Sequence, residues 1–129
     1  MTEQNNKQIK HYTDLIVWQK SHNLFVDMYN VVEIVPRKVG AKTVSEQIFR
    51  SCGSISANIA EGFNSRSTKE YVHFLDIAQR SAAETENWLY KMRDCMMLRK
   101  EIVEQWLGVC VEIEKMLQKL KKNLNLSIH

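Results

Sequence analysis

Apolar residues recur along this chain at intervals of three and four, which is the spacing of one face of an α-helix. The pattern is most regular near the carboxyl end, where it runs from Ile102 through Trp106, Val109 and Ile113 to Leu120. No segment shows the sustained alternation of a strand, and one proline and four glycines are too few for a fold with many turns. The pattern therefore predicts an all-α protein.

Breaks in this pattern divide the chain into four helices. Pro36 ends the first helix, and residues 43–46 have the form of a capping box that begins the second. Gly62 marks the exit from the second helix, and residues 67–70 form another capping box that begins the third. The predicted helices span residues 14–35, 43–63, 67–98 and 100–124.

Short connections make sequential helices antiparallel, which predicts an up-down-up-down four-helix bundle over residues 13–124. A helix pair or an extended coiled coil is the alternative, and the short loops marked by caps argue against it. Residues 1–12 are predicted to form a flexible polar tail and residues 125–129 a frayed one. We also expect a cytoplasmic protein, because the chain shows neither an apolar signal core nor an apolar run that could cross a membrane.

The second predicted helix is rich in small residues. Ile48, Cys52, Ile55 and Ile59 mark its core-facing side, whereas serine, glycine and alanine occupy most other positions between 51 and 60. Because a solvated face normally carries lysine and glutamate, this composition predicts the close approach of another helix and an oligomer. Asn58 lies between two isoleucines and needs hydrogen-bond partners if it is buried. The candidates for a structural polar network are Arg50, Asn58, Glu61 and Glu84.

The formal net charge of +3 is mild and permits contact with nucleic acid without requiring it. In an up-down-up-down bundle, the loop after the first helix lies at the same end as the corner between the third and fourth helices. Both segments are basic, so one end of the bundle is predicted to carry a patch that contacts phosphates. The candidate nucleic-acid-binding residues are Arg37, Lys38, Lys42, Arg93, Arg99 and Lys100.

The sequence offers little that resembles a catalytic or metal site. Glu70 and His73 have the Glu-x-x-His spacing of di-iron bundles, but such sites need the motif twice and the chain has one copy. The cysteines, Cys52, Cys95 and Cys110, lie apart in helical segments and are predicted to be buried, reduced thiols. We therefore expect no enzymatic activity, no metal and no cofactor, and a metal-dependent enzyme is the least favoured alternative.

Three motifs follow one another along the chain, at residues 14–20, at residues 47–50 and 54–62, and at residues 67–78. They resemble the opening, second-helix and third-helix motifs of the four-helix-bundle proteins of the 23S rRNA intervening-sequence family. Two positions depart from the pattern. Ser56 stands where the family commonly has proline, and Phe49 stands where it has a second arginine.

This resemblance implies a non-enzymatic bundle that assembles as a homopentamer. Members of the family are encoded within insertions in bacterial 23S rRNA genes or elsewhere in the genome. Related accessory proteins of diversity-generating retroelements form basic pentamers that engage nucleic acid and a reverse transcriptase. We therefore expect self-assembly and binding of rRNA or another nucleic acid, with a reverse transcriptase as a further candidate partner. The alternative is a protein–protein scaffold or accessory subunit that does not contact nucleic acid directly.

Overall fold

The computed structural model describes residues 8–128, apart from the side chains at positions 32, 127 and 128. Over that range the chain forms four α-helices: α1 Ile16–Val31, α2 Val39–Phe63, α3 Thr68–Asp94 and α4 Lys100–Ile128. Two 3₁₀ turns, Tyr12–Asp14 and Val32–Ile34, flank α1, and no strand occurs among the residues described. The prediction of an all-α protein is confirmed.

The helices pack as a bundle in which each contacts the next along the chain and α1 closes against α4. The α2–α3 and α3–α4 contacts are the most extensive, whereas α1 packs against its neighbours through fewer residues. All four helices contribute to one apolar core, whose almost fully buried side chains include Leu24, Ile55, Leu75, Leu89 and Ile113. Burial of each such side chain stabilises the fold by about 1.5–3 kcal/mol, so this core is the main source of stability. Within residues 8–128, no helix has both the length and the apolar character needed to span a membrane.

The start of α2 differs from the prediction. The helix begins at Val39, four residues before Thr43, and its N-cap residue Lys38 makes no side-chain capping hydrogen bond. Thr43 lies inside the helix, where its hydroxyl donates to the Val39 carbonyl oxygen at 3.2 Å. The predicted capping box at residues 43–46 is therefore wrong. The helix extends further because burial of Ala41 against the core anchors the additional turn.

The regular part of α1 is shorter than predicted, because a 3₁₀ turn replaces the α-helix after Val31. Pro36 disfavours helical backbone at the residue before it and lacks an amide proton, so the chain unwinds ahead of it. On the amino-terminal side of α1, Ile9 and Tyr12 pack against the core, so the packed part of the chain begins earlier than the predicted residue 13. Residues 1–7 of the predicted flexible tail lie outside the described residues. Likewise α4 continues to Ile128, beyond the predicted end at residue 124, and residue 129 is not described.

The end of α3 also falls earlier than the predicted residue 98. The helix stops at Asp94, and Met96 adopts a φ of 53°, in the left-handed region. The Met96 amide donates to the Arg93 carbonyl and the Met97 amide to the Met92 carbonyl, each at 3.0 Å. This pair of hydrogen bonds is the Schellman motif, in which glycine normally occupies the left-handed position. Buried Met97 supplies the apolar contact that accompanies such a helix end.

Gly62 has a different role from the predicted helix exit. It lies inside α2, which continues unbroken through Ser56 and is capped by Asn64. Gly62 is buried, and its φ is not in the left-handed region. A Cβ at this position would lie 2.8 Å from Tyr71 Cδ1 and 3.0 Å from Phe74 Cβ. Glycine is therefore required here by the close approach of α3 and not by backbone conformation.

The second predicted capping box is present in part. Ser67 is the N-cap residue of α3, and its hydroxyl accepts a hydrogen bond from the Glu70 amide at 3.1 Å. A return bond from the Glu70 side chain is not formed within residues 8–128. Ser67 thus ends the short connection from α2 and fixes where α3 begins, which sets the register of the close α2–α3 contact.

Candidate functional site

One end of the bundle brings together the loop between α1 and α2 and the corner between α3 and α4. A small apolar pocket at this end is lined by residues from all of these segments. They are Met28, Val31, Val35, Ser45, Ile48, Phe49, Met92, Leu98 and Trp106. The two basic segments therefore flank a shared cluster of side chains. We call this part of the molecule, residues 31–49 and 92–106, the loop end.

Four of the six candidate cations at the loop end have no acidic partner among the residues that the structure describes. Arg37, Lys38, Arg99 and Lys100 are exposed, and none of them forms an ion pair with another residue in the range 8–128. Their charges are therefore available to an external anion. Because exposed cations keep their hydration until a ligand arrives, they attract anions without a large desolvation cost.

The other two candidate cations are engaged within the chain. Lys42 Nζ lies 3.9 Å from the Glu46 carboxylate, one helical turn away. Arg93 Nε donates to Asp94 Oδ1 at 2.9 Å, and its guanidinium lies 5.1 Å from the centre of the Tyr90 ring. The hydrogen bond with Asp94 is the largest influence that raises the pKa of Arg93. These pairings reduce the charge that Lys42 and Arg93 offer to a ligand.

Apolar side chains lie directly beside the free cations of the first loop. A groove of about 410 Å³ at the loop end combines apolar walls, two polar side chains and three cations. The apolar lining residues are Val35, Pro36, Val39 and Phe49, the polar ones are Ser45 and Glu46, and the cations are Arg37, Lys38 and Lys42. Val39 is 86% exposed. This groove was not predicted from the sequence, although apolar residues on both sides of Arg37 and Lys38 were a signal for it.

The four candidates for a polar network do not form one network. Arg50 and Glu84 make an ion pair between α2 and α3, and Glu84 also accepts a hydrogen bond from Trp88 Nε1 at 3.3 Å. Asn58 instead donates within α2, to the Ser54 carbonyl at 2.8 Å. Glu61 is exposed and has no hydrogen bond or ion pair with the part of the chain that is described. Since the Arg50–Glu84 pair is largely exposed, it stabilises the fold by about 1 kcal/mol at most.

In addition to the exposed Arg50–Glu84 pair, buried hydroxyl groups join α2 to α3. Thr85 Oγ1 lies 2.9 Å from Ser51 Oγ and 2.8 Å from the Ser81 carbonyl oxygen, and it can donate its one proton to either. One turn along, Ser81 Oγ donates to Ser54 Oγ at 2.9 Å. Ser51 and Thr85 are fully buried. Ser51 and Ser54 of α2 therefore face α3 of the same chain, and Gly53 lies next to Phe25 of α1. Contacts within one chain thus account for part of the close approach that the sequence predicted.

A pair of carboxyl groups lies between α3 and α4. Burial raises the pKa of Glu114 to about 8, and a hydrogen bond to Glu86 and the negative charge of Glu86 act in the same direction. One Glu114 oxygen is buried and accepts no hydrogen bond from any residue in the described range. Protonation of Glu114 turns that carboxyl into a donor to Glu86 and removes the repulsion between the two groups.

The metal-binding residue types are dispersed. Glu70 and His73 are both exposed near the start of α3. Over residues 8–128, no three histidine, cysteine, aspartate or glutamate side chains are grouped so that they could hold a metal ion. Cys52 and Cys110 are buried, and burial raises the pKa of both thiols. For Cys52 the pKa rises to about 12. Cys95 is exposed at the end of α3, so the prediction that it is buried is wrong.

Comparisons with known proteins agree with this fold. The family model of the 23S rRNA-intervening sequence protein matches residues 13–119. A crystal structure of a protein of unknown function from the S23 ribosomal protein family of Bacteroides thetaiotaomicron is 31% identical. The match covers 83% of this chain and 96% of that chain, with a TM-score of 0.76. A comparison with curated proteins gives no match.

Neither description indicates an enzymatic activity, and the solved relative is itself described as of unknown function. The family match covers α1, α2, α3 and the first 20 residues of α4, and it includes every segment whose motifs suggested the resemblance. The fold, the order of the motifs and the similarity of the solved structure agree with one another. The chain therefore belongs to the 23S rRNA-intervening sequence protein family.

Proposed function

We propose that this protein is non-enzymatic and binds structured RNA or DNA through the phosphates, using the loop end of its bundle. The observation that supports the proposal is a group of exposed cations at the loop end that form no ion pair with any residue between 8 and 128, namely Arg37, Lys38, Arg99 and Lys100. Each phosphate that such a residue contacts releases condensed counterions, which favours binding of a polyanion. Ribosomal RNA is the first candidate ligand because of the family to which the chain belongs.

Self-assembly strengthens this proposal. Four cations on one chain give weak binding at physiological salt, whereas a cyclic homopentamer, which the family resemblance implies, presents the same end of every copy. The binding energies of several loop ends on one nucleic acid then combine. Light scattering at micromolar concentration tests the assembly. A monomeric mass contradicts the pentamer and removes this contribution to affinity.

The test of binding is a salt titration with a labelled rRNA fragment and a DNA duplex of similar length. We expect the logarithm of the association constant to fall linearly with the logarithm of the salt concentration. Arg99→Ala/Lys100→Ala should reduce the slope by about 0.9 for each duplex phosphate that the variant no longer neutralises. Lys119→Ala/Lys122→Ala is the matched control, because it removes the same charge from exposed positions near the opposite end of α4.

Two results would overturn the proposal. The first is the absence of any retardation of either nucleic acid at low salt. The second is an equal loss of affinity in the control variant, because that result assigns binding to net charge and not to the loop end.

A second candidate function is a protein–protein scaffold or accessory subunit, for example of a reverse transcriptase. It is favoured by exposed apolar side chains at the loop end, where Ile34 is 68% exposed and Met96 is 86% exposed. Apolar surface of this kind is typical of protein contacts. A scaffold predicts binding to a partner that depends little on salt and no binding to either nucleic acid.

A further inference from the structure

The groove beside the first basic loop has walls that a duplex cannot use. Double-stranded nucleic acid presents phosphates and base edges, while the faces of its bases are hidden in the stack. The cations Arg37 and Lys38 suit a phosphate, but the apolar walls formed by Val35, Pro36 and Phe49 do not. A ligand that uses the whole groove needs an apolar flat face directly next to a negative charge. A nucleotide with an unstacked base has both.

From this juxtaposition we infer that the groove binds an unpaired nucleobase while Arg37 and Lys38 hold the adjacent phosphates. The inference rests on the proposed function and specifies its ligand as single-stranded or looped nucleic acid. A volume of about 410 Å³ falls within the usual range for small-molecule sites, so a base enters without displacing core side chains. Val39, on the rim, is 86% exposed and gains contact area when a base covers it.

An unsatisfied polar group supports the same ligand independently. Ser45 lines both the groove and the apolar pocket beneath it. Its hydroxyl oxygen is buried and has no hydrogen-bond partner within residues 8–128. Such a group costs free energy unless a ligand pairs with it. Because the Ser45 oxygen is closed to solvent, the side chain must rotate toward the groove before the donors and acceptors on the edge of a nucleobase can pair with it.

The one acidic side chain of the groove is consistent with this assignment. The Glu46 carboxylate lies 3.9 Å from Lys42 Nζ, so its charge is partly balanced. A carboxylate repels a phosphate but accepts hydrogen bonds from the exocyclic amino groups of bases. The charges thus place the phosphate beside Arg37 and Lys38 and the base beside Ser45 and Glu46.

The experiment compares two RNA ligands of equal phosphate number, a blunt duplex and a hairpin whose loop is unpaired, at one low salt concentration. The full-length protein and two variants, Val39→Ser and Ser45→Ala, are titrated against both. We expect the hairpin to bind more tightly than the duplex. Each variant should weaken hairpin binding by about fivefold to tenfold and leave duplex binding unchanged, because only an unpaired base offers its face and its Watson–Crick edge to the groove.

Met96→Ser is the matched control, since Met96 is also 86% exposed at the loop end but does not line the groove. It should not change the affinity for either ligand. A 2-aminopurine base in the hairpin loop gives a second readout, because its fluorescence changes when the base leaves the stack and enters the groove.

The outcomes separate the two proposals. Equal affinity for hairpin and duplex, or unchanged hairpin binding in both variants, overturns the inference and leaves phosphate binding at the loop end intact. Absence of binding to either RNA at low salt overturns the proposed function and the inference together. Circular dichroism of each variant confirms that it is folded, which is expected because Val39 is exposed and Ser45 loses no hydrogen bond.

Discussion

Substitution of Gly62 by alanine tests the closest approach of α2 and α3. In an unobstructed helix this change stabilises a protein by about 0.5–1 kcal/mol, because alanine has less backbone entropy to lose on folding. At Gly62 the new Cβ would lie 2.8 Å from Tyr71 Cδ1, 3.0 Å from Phe74 Cβ and 3.2 Å from the Tyr71 carbonyl oxygen. All three distances are shorter than the 3.5–4.0 Å or so at which nonbonded carbon atoms attract most strongly.

The cost follows from which atoms are in the way. The Cβ of Phe74 and the carbonyl oxygen of Tyr71 cannot rotate aside, so the helices themselves must separate. Overpacking of this kind costs about 1–3 kcal/mol, and immovable neighbours place Gly62 at the upper end of that range. After subtraction of the gain in helix propensity, Gly62→Ala should destabilise the protein by about 2 kcal/mol.

The matched control is Gly108→Ala in α4. A Cβ at Gly108 meets no atom within 4 Å, so only the gain of about 0.5–1 kcal/mol remains. Thermal unfolding at one protein concentration measures both variants, since oligomerisation makes the midpoint depend on concentration. For a domain of this size we expect a fall of roughly 8 °C for Gly62→Ala and a rise of roughly 3 °C for Gly108→Ala. A Gly62→Ala protein as stable as the wild type would refute the close contact of α2 and α3.

Three further variants test other features of the structure. Thr85→Val removes a buried hydroxyl and should destabilise the protein by about 1–2 kcal/mol in urea denaturation. The destabilisation of the double variant Ser51→Ala/Thr85→Val should be smaller than the sum of the two single effects, and strict additivity contradicts the hydroxyl pair. The folded-state pKa of Glu114, about 8, lies above that of an unfolded glutamate, so the folded protein holds this proton more tightly. The stabilisation that results is complete below pH ~4 and is lost as the pH rises through ~8. Glu114→Gln should therefore raise stability at pH 8 by about 1–2 kcal/mol, an amount discounted for partial exposure, and this gain should disappear below pH ~4, where Glu114 is protonated in both states. Met96→Gly should raise stability by about 0.5–1 kcal/mol, because glycine adopts a φ of 53° without strain, and a lower unfolding midpoint counts against the Schellman end.

The sequence was a sufficient guide to the existence and order of the helices. Each helix carries a regular apolar face, and that local pattern agrees with the core that the structure contains. The ends of the helices were harder to predict because they depend on contacts made elsewhere in the chain. Thr43 has the local signature of a cap, yet burial of Ala41 moves the start of α2. Met96 is a poor residue for a left-handed position, so no local signal marked the end of α3.

At the candidate site, too, the general arrangement was predictable from the sequence, whereas the individual contacts were not. Antiparallel topology alone predicted that the two basic segments share one end. Which cations are free depends on side-chain distances that no periodicity encodes, such as the contacts of Arg93 with Asp94 and of Lys42 with Glu46. The groove beside Arg37 was missed for a related reason. Its walls come from the loop after α1 and from the first three turns of α2, and they meet only in the folded chain.

The unequal packing of α1 affects how the bundle moves. With α2, α3 and α4 joined by the extensive contacts, α1 is the element expected to detach first in local opening, and its amides should exchange hydrogen fastest among the helices. The segment that tethers α1 to α2 is the same one that carries Arg37 and Lys38. A ligand held by that tether restricts it and lowers the entropy gained when α1 opens. Slower hydrogen exchange in α1 on addition of RNA would therefore show that α1, which does not line the groove, responds to a ligand bound there.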